Sequence, residues 1–483
     1  MCPNLLITSG VQCFSGGVGQ KIEKMKKNRA TLGGKLSAVL VAAGSAVGLG
    51  NIWRFPYVAG ENGGGAFLII YICCILLLGL PVLLAEFAVG RNTRKNAVGA
   101  YRSLSKRWAF LGYNGLLSPF LILGFYFVVS GWTLEYLVVS LTGGISDYVS
   151  SEVNTQLFDL FTLSPVRPVV YTVVFILITH GVIAMGVQKG IERSAKLLMP
   201  MLFVVLTVLA LRSVTMPGGV EGLKFFFAPD FSKIKPSTFL NAMGQAFFSL
   251  SIGLGCMITY ASYFKDDTNL PATAGNVIAL DSLVAILSSI VIFPAVFSVG
   301  IEPSAGPSLV FVTLPSIFNT MSMPWLWSSA FFLLLAVAAL TSTISLHEVL
   351  TVYVSEEWNM SRRKAAWLTT GTLMVLASAA SLSIGIGREY TIFGRTLFDL
   401  LDFLTADILL PLGGLFTSIF AGWYMNRQSL RDELTNYGRN KAYVYNIVVV
   451  LLRYVCPVLL TVIFLDNLGF FRFLIKLFIS LHP

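Results

Sequence analysis

The stretch SAVGLG at residues 45–50 recurs almost unchanged as LSIGLG at residues 250–255, and each copy lies inside a long apolar run. Paired glycines weaken a helix by about 1 kcal/mol each relative to alanine. Unwound backbone at mid-membrane depth is tolerated only where it faces protein or a water-filled cavity. The glycines could instead serve close helix packing. Two matched copies favour a binding site built from two broken helices.

The composition around these stretches is that of a membrane protein. Charged residues make up only 12% of the 483 residues and hydrophobic residues 55%, more apolar surface than a soluble chain can bury. A bilayer core about 30 Å thick needs roughly 20 apolar residues per helix. Eleven such runs are present, at about residues 36–59, 66–90, 113–141, 168–186, 194–213, 238–264, 272–300, 325–354, 365–384, 398–425 and 443–468.

The spacing of the two glycine stretches predicts how the helices are arranged. The first copy lies in the first predicted helix and the second copy in the sixth, with four predicted helices between them, so the copies cross the membrane in opposite directions. We therefore predict an all-α integral membrane protein made of two inverted five-helix repeats, residues 36–213 and 238–425, with the first and sixth helices broken. An eleventh helix at 443–468 and an external tail at 469–483 follow.

The basic residues predict the orientation. If the N-terminus is cytoplasmic, 23 of the 34 Lys and Arg residues lie in the inner segments, which is the bias found in membrane proteins. The C-terminus is then external. The net charge of +10 is explained by topology, and no nucleic-acid partner is expected.

The first residues differ from the rest. We expect residues 1–35 to form a cytoplasmic segment. Residues 1–24 lack the long apolar region of a signal peptide, and Met25 opens a basic stretch. We therefore expect residues 1–24 to be disordered, or to precede a true start at Met25.

Signatures of other function classes are missing from the sequence. The six cysteines and three histidines are scattered, which argues against a disulfide framework or a zinc site. We find no nucleophile elbow and no cofactor motif, so the chain is not predicted to be an enzyme. A channel would need rings of like residues, which the sequence does not suggest.

Seven ionisable residues fall within or at the ends of apolar runs, where a charge costs at least about 2.5–3.5 kcal/mol unless it is paired or functional. They are Arg54, Glu86, Glu135, Asp281, Glu348, Asp402 and Asp407. Asp281 has no basic neighbour in sequence. It either binds a cation or is a protonated structural carboxyl bonded to a neighbouring helix.

Three further groups of polar or charged residues in the predicted helices each have two possible roles. Arg54 with Asp402 forms either an external gate or a static ion pair. The hydroxyls at residues 341–345 either bond to their own helix or offer hard oxygen ligands to an alkali cation. His347 and Glu348 are expected to form a satisfied polar pair rather than a proton relay.

Three motifs resemble the signature of the neurotransmitter:sodium symporter family. They are SAVGLGNIWRFP at 45–56 with ENGGGAF at 61–67, the stretch 81–91, and GQAFFSLSIGLGCMITYASY at 244–263. The resemblance extends from about Arg29 to the C-terminus. It implies the LeuT-type fold and a transporter of a bacterial inner membrane that works by alternating access.

The resemblance also implies the site residues. A first sodium site would use Ala46, Asn51, Ser249 and Asp281, completed by the substrate carboxylate. A second sodium site would use Gly44, Val47, Ala338, Thr341 and Ser342. The substrate pocket would be formed by Ser45, Ala46, Gly48, Gly50, Ile122, Tyr126, Phe248, Ser249, Ser251, Leu254, Ser342, Ser345 and Leu346. The outer gate would be Arg54, Gln245 and Asp402, and the inner gate Arg29, Tyr263 and Glu356.

Departures from the family pattern suggest the substrate. Monoamine carriers have Asp where this chain has Gly48, so we expect free space there for the carboxylate of an α-amino acid. The other pocket side chains are apolar or small, which favours a neutral, hydrophobic or aromatic side chain. Tyr126 and Phe248 would close over this substrate.

Two further positions bear on the ions. Asp281 stands where many members have Asn, and Ala285 where chloride-dependent members have Ser, which implies chloride-independent sodium symport. Besides the amino acid, the expected partners are the lipid bilayer and, if the chain is not a monomer, a second copy in a homodimer. The alternative function is an amino-acid sensor of the same fold that does not transport.

Overall fold

The computed structural model describes residues 30–300, 310–471 and 473. The predicted disordered segment at 1–24 and most of the predicted tail at 469–483 lie outside these residues. The described chain is almost entirely helical. Eleven helices follow the predicted runs: α1 (Lys35–Ala46 and Gly50–Glu61), α2 (Gly65–Thr93), α3 (Lys106–Leu141), α4 (Arg167–Ala184), α5 (Val187–Val214), α6 (Pro236–Ser249 and Cys256–Ala261), α7 (Leu270–Ser298), α8 (Pro324–Glu357), α9 (Arg362–Ile384), α10 (Leu397–Tyr424) and α11 (Ala442–Asn467).

The first and sixth helices are broken, as predicted. The two parts of α1 are bent by 56° at the break between Ala46 and Gly50. The two parts of α6 are separated by residues 250–255. Within the described residues, nine helices are long and apolar enough to span a bilayer and the bent α1 makes a tenth. The eleventh helix, α6, is not among them because neither of its two parts is long enough to span a bilayer by itself.

The break in α6 depends on left-handed backbone. Gly253 and Gly255 have φ values of +82° and +67°, and Ser251 has a φ of +52°. A Cβ atom on Gly253 would lie 2.9 Å from the carbonyl oxygen of Leu410, so both its conformation and its contacts require glycine. The freed N–H of Gly253 donates to Glu86 Oε1 at 2.7 Å. A buried carboxylate on α2 therefore satisfies the backbone that the break leaves unpaired.

The long helices α3 and α8 form the centre of the bundle. α3 packs against α8, α4 and α9, and α7 packs against α1 and α5. Several short helices in the loops were not predicted, because windows of about 20 apolar residues cannot detect them. They are Ala97–Leu104, Ser151–Leu163, Gly219–Phe227, Thr313–Asn319 and Arg427–Leu434.

Candidate functional site

A cavity of about 40 Å³ lies between the two helix breaks. Twelve of the thirteen predicted pocket residues line it. Ligand pockets usually measure about 300–1,000 Å³, so an amino acid could enter only if a lining side chain moved. Of the two aromatic lining residues, Tyr126 is buried and Phe248 is only partly buried, so the ring of Phe248 is the freer of the two to move.

Two residues depart from the predicted lining. Ser345 does not line this cavity; its hydroxyl donates to the carbonyl oxygen of Thr341 at 2.9 Å and accepts from Tyr260 at 2.8 Å. Leu410 on α10 lines the cavity although sequence reasoning did not include it. Leu410 could not be predicted as a lining residue, because it is one leucine among many in an apolar run.

The two breaks contact each other at this cavity. Ser251 Oγ donates to the carbonyl oxygen of Ser45 at 2.8 Å, which joins the unwound segment of α6 to α1. Leu49 N–H donates to the hydroxyl of Tyr126 at 3.1 Å, which joins α1 to α3. Backbone groups released by the breaks are therefore bonded to side chains around the cavity rather than to their own helices.

Gly48 is a position of close approach rather than of free space. A Cβ atom there would lie 2.3 Å from Ser342 Oγ and 3.0 Å from the hydroxyl of Tyr126. The space that a side chain would fill is taken by Ser342 and Tyr126 in this structure, and the expectation that a substrate carboxylate enters beside Gly48 stays a prediction. The glycine lets α1 contact α8 directly.

Three of the residues predicted for the first ion site form one polar cluster. Asn51 Nδ2 lies 2.8 Å from Asp281 Oδ1 and 2.8 Å from Ser249 Oγ. Ser249 Oγ donates to the Asp281 carboxylate, with oxygen–oxygen distances of 2.9 and 2.8 Å. Asp281 is completely buried, and no Lys or Arg within the described residues pairs with it. Ala46, the fourth predicted ligand, lines the adjoining cavity.

Tyr71 on α2 also belongs to this cluster, although it was not predicted from the sequence as a site residue. Its hydroxyl lies 3.3 Å from Asp281 Oδ2 and 3.2 Å from Ser249 Oγ. A phenol within an otherwise aliphatic run was the available signal, since buried tyrosine hydroxyls usually find a partner. The cluster thus joins helices α1, α2, α6 and α7 around one carboxylate.

The residues predicted for the second ion site are also close together. Thr341 Oγ1 donates to the carbonyl oxygen of Ala338 at 2.9 Å and lies 3.3 Å from that of Val47. Ser342 Oγ lies 3.4 Å from the same Val47 oxygen. A Cβ atom on Gly44 would be 3.7 Å from Thr341 Cβ. Carbonyl and hydroxyl oxygens of this kind are suitable ligands for a hard cation.

The predicted outer gate is only partly assembled. The guanidinium of Arg54 lies over the ring of Phe248, 4.6 Å from its centroid. Gln245 Nε2 donates to the carbonyl oxygen of Gly50 at 2.9 Å. Within the described chain no ion pair within 4 Å joins Arg54 to Asp402, whose side chain is exposed. Within the described residues, the structure therefore does not contain the static ion pair that was one of the two interpretations of Arg54 and Asp402.

The end of the bundle that holds the predicted inner gate contains a polar network that the sequence only partly predicted. Tyr263 donates to Glu348 Oε1 at 2.8 Å, and Arg362 donates to both oxygens of Glu348 at 2.9 and 2.6 Å. Glu356 accepts from the backbone and side chain of Asn96 at 3.0 and 2.9 Å. Arg29, the third predicted gate residue, lies outside the described residues.

His347 and Glu348 are not partners of each other, contrary to expectation. The imidazole of His347 is hydrogen-bonded to the hydroxyls of Thr351 and Thr370, each at 2.9 Å. The Thr370 hydroxyl also contacts His180 Nδ1 at 2.8 Å. Adjacent helix residues point about 100° apart, so their sequence neighbourhood did not make them neighbours in space.

The chain matches a known family over most of its length. The profile described as "Sodium:neurotransmitter symporter family" matches residues 29–157 and 164–474. Uncharacterized sodium-dependent transporters are similar to it. YhdH of Bacillus subtilis (strain 168) is 39% identical over 444 residues, covering 91% of this chain and 98% of YhdH. A protein of Haemophilus influenzae is 37% identical over 455 residues, covering 92% and 99%.

A solved structure is similar to the whole fold. The crystal structure of MhsT in complex with L-phenylalanine superposes with a TM-score of 0.84 at 42% sequence identity. The match covers 91% of this chain and all of that one.

Proposed function

Because this chain belongs to the sodium:neurotransmitter symporter family, and so to a family of sodium-dependent membrane transporters, we propose that it imports a neutral amino acid with sodium. The observation that carries the proposal is the buried carboxylate of Asp281. It has no basic partner in the described chain, and Ser249 both donates to it and lines the central cavity. A cation beside Asp281 would balance its charge and would attract a substrate carboxylate in the cavity.

The cavity lining supports a hydrophobic or aromatic side chain. Ile122, Leu254, Leu346 and Leu410 contribute apolar surface, and no charged residue lines the cavity. A charged substrate side chain would be left uncompensated there, at a cost of several kcal/mol. The similarity to a protein crystallised with L-phenylalanine agrees with this choice.

We also propose two sodium sites, at the Asp281 cluster and at the Thr341–Ser342 cluster. Sodium and substrate together would stabilise an occluded state in which Tyr126 and Phe248 cover the substrate. Arg54 and Asp402 would then approach each other, and the inner network around Tyr263 would open. The ligands drive such a cycle only through different affinities for its states. The N-terminus is proposed to be cytoplasmic and the C-terminus external.

Uptake into proteoliposomes tests the coupling. Labelled phenylalanine, leucine and tryptophan should accumulate when external sodium exceeds internal sodium, and should not accumulate when potassium replaces sodium. An inside-negative potential should increase uptake, since each net charge gains about 2.3 kcal/mol per 100 mV. Equal accumulation without a sodium gradient would contradict the proposal. Sodium-dependent binding without any uptake would instead identify the sensor.

A further inference from the structure

A second and much larger cavity lies away from the ion and substrate sites. It measures about 700 Å³ and is formed by α3, the last turns of α8, and α9. Its wall is mainly aromatic and aliphatic, with Phe110, Leu117 and Phe120 on α3 and Leu368 on α9. We name it the α3–α8–α9 groove. Its volume is within the range of sites that bind drug-sized ligands.

The depth of the groove matches one leaflet of a bilayer. Its α3 wall extends from Phe110 to Phe120, which is about 15 Å at a rise of 1.5 Å per residue. That length is half of a hydrocarbon core about 30 Å thick. Phe110 and Leu117 are each 47% exposed, so the groove opens sideways to the surrounding lipid.

The rim of the groove has the residues of a membrane interface. Trp358, 57% exposed, lines it together with Tyr113 and Tyr353. Such amphipathic rings prefer the level of the lipid headgroups. Arg102 donates to the hydroxyl of Tyr113 at 2.9 Å and to Glu357 Oε2 at 2.7 Å. The charge of Arg102 is therefore balanced by Glu357.

Two other basic residues lie one helical turn from residues that line the groove, and neither is balanced by an acidic partner in the described chain. Lys106 begins α3 one turn before Phe110, and Lys364 lies on α9 four residues before Leu368, on the same helix face. Both side chains are exposed, and within the described residues neither forms an ion pair. No acidic residue lines the groove. Basic pockets between membrane helices are suited to anionic headgroups.

We propose that the α3–α8–α9 groove binds an anionic phospholipid, with an acyl chain along α3 and the phosphate beside Lys106 and Lys364. The unbalanced charges of Lys106 and Lys364 favour an anionic lipid over a helix from a second copy of this protein as the occupant. In the proposed orientation the lipid belongs to the cytoplasmic leaflet.

Photolabelling in nanodiscs tests the site without depending on orientation or transport. The full chain is placed in phosphatidylcholine nanodiscs that contain a phosphatidylglycerol carrying a diazirine on its acyl chain. After illumination, peptide mapping should place the label on residues 110–120 and 368–372. Unlabelled phosphatidylglycerol should compete, and unlabelled phosphatidylcholine should not. A sodium-dependent thermal shift shows that each variant is folded.

Two pairs of variants separate the groove from the general lipid surface. Leu117→Trp should fill the groove and lower labelling several-fold, whereas Leu197→Trp on the lipid-exposed face of α5 should not. Lys106→Gln with Lys364→Gln should weaken competition by phosphatidylglycerol about tenfold, since each basic residue near an anionic surface contributes several-fold. Arg427→Gln with Arg439→Gln removes the same charge elsewhere and should have little effect.

The proposal is overturned by any of four results. These are label spread evenly over all lipid-facing helices, equal effects of test and control variants, equal competition by phosphatidylcholine, or a cross-linked pair of chains through the groove.

Discussion

Asp281 is the residue on which the proposed ion site depends. It is completely buried in α7, and its described hydrogen-bond partners are Asn51, Ser249 and Tyr71, all of them neutral. An ionised carboxylate surrounded only by neutral groups is unfavourable in a membrane. The same arrangement becomes favourable when a monovalent cation is bound, because the cation supplies the missing charge.

Replacing this carboxylate should weaken sodium binding selectively. Asp281→Asn keeps the shape of the side chain, removes the charge and turns one of its two acceptor atoms into a donor. Bonds to a charged group contribute about 1.5–3 kcal/mol, so we expect sodium affinity to fall at least about tenfold. Sodium titration of the thermal unfolding midpoint measures the change. Asp159→Asn, the same change at an exposed residue, is the control, and an equal effect of both would exclude Asp281 as a ligand.

Gly48 permits a prediction about close helix contact. Gly48→Ala would place a Cβ 2.3 Å from Ser342 Oγ and 3.0 Å from the Tyr126 hydroxyl, so both side chains would have to shift, lowering the unfolding midpoint and slowing uptake. Adding Ser342→Ala removes the clashing oxygen and should recover part of the stability. Gly275→Ala on α7 has no atom within 4 Å of the new Cβ and should stabilise by up to about 1 kcal/mol. Unchanged stability of Gly48→Ala would disprove the contact.

At the scale of helices, the break in α6 is maintained by a residue from another helix. Glu86 on α2 accepts from the N–H of Gly253, and Ser251 donates to the backbone of α1. The unwound segment is therefore bonded on both sides. Such a segment can remain ordered in a membrane because its polar groups are bonded to protein.

Substitutions of Glu86 should distinguish hydrogen bonding from simple packing. Glu86→Gln keeps an acceptor for Gly253 N–H and should change stability little. Glu86→Leu leaves that buried N–H unpaired, which typically costs about 1–3 kcal/mol. We expect a clearly lower unfolding midpoint for Glu86→Leu, measured in detergent with saturating sodium. Equal midpoints for the two variants would mean that the bond to Gly253 contributes nothing.

At the scale of the whole molecule, the helices were predictable because a long apolar run indicates a membrane-spanning helix and paired glycines indicate a break within it. The polar partners were less predictable. Tyr71 joins the ion cluster from a helix distant in sequence, and Arg362 pairs with Glu348 across a helix connection. The close approach of Ser342 to Gly48 was not predictable either, because an absent side chain does not indicate which neighbour fills its space. The sequence shows which chemical group is present at a position but not which neighbouring helix contacts that group in the fold.

The anion requirement is a property of the whole transporter. We propose that the carboxylate of Asp281, with Ala285 one turn further along α7, would replace chloride as the negative charge near sodium. Replacing chloride by gluconate at constant sodium should therefore leave the initial rate of uptake unchanged. A parallel measurement with sodium replaced by choline should show loss of uptake. A rate that collapses in gluconate would contradict chloride independence.

The hydroxyl of Ser249 has a further thermodynamic consequence. It touches the Asp281 carboxylate and the cavity at once, so the proposed ion and substrate sites share one group. If sodium raises the affinity for the substrate by some factor, linkage requires that the substrate raise the affinity for sodium by the same factor. Amino acids that bind more tightly with sodium must then retain sodium more tightly. The most strongly coupled substrate would accordingly be the one that delays the release of its own driving ion.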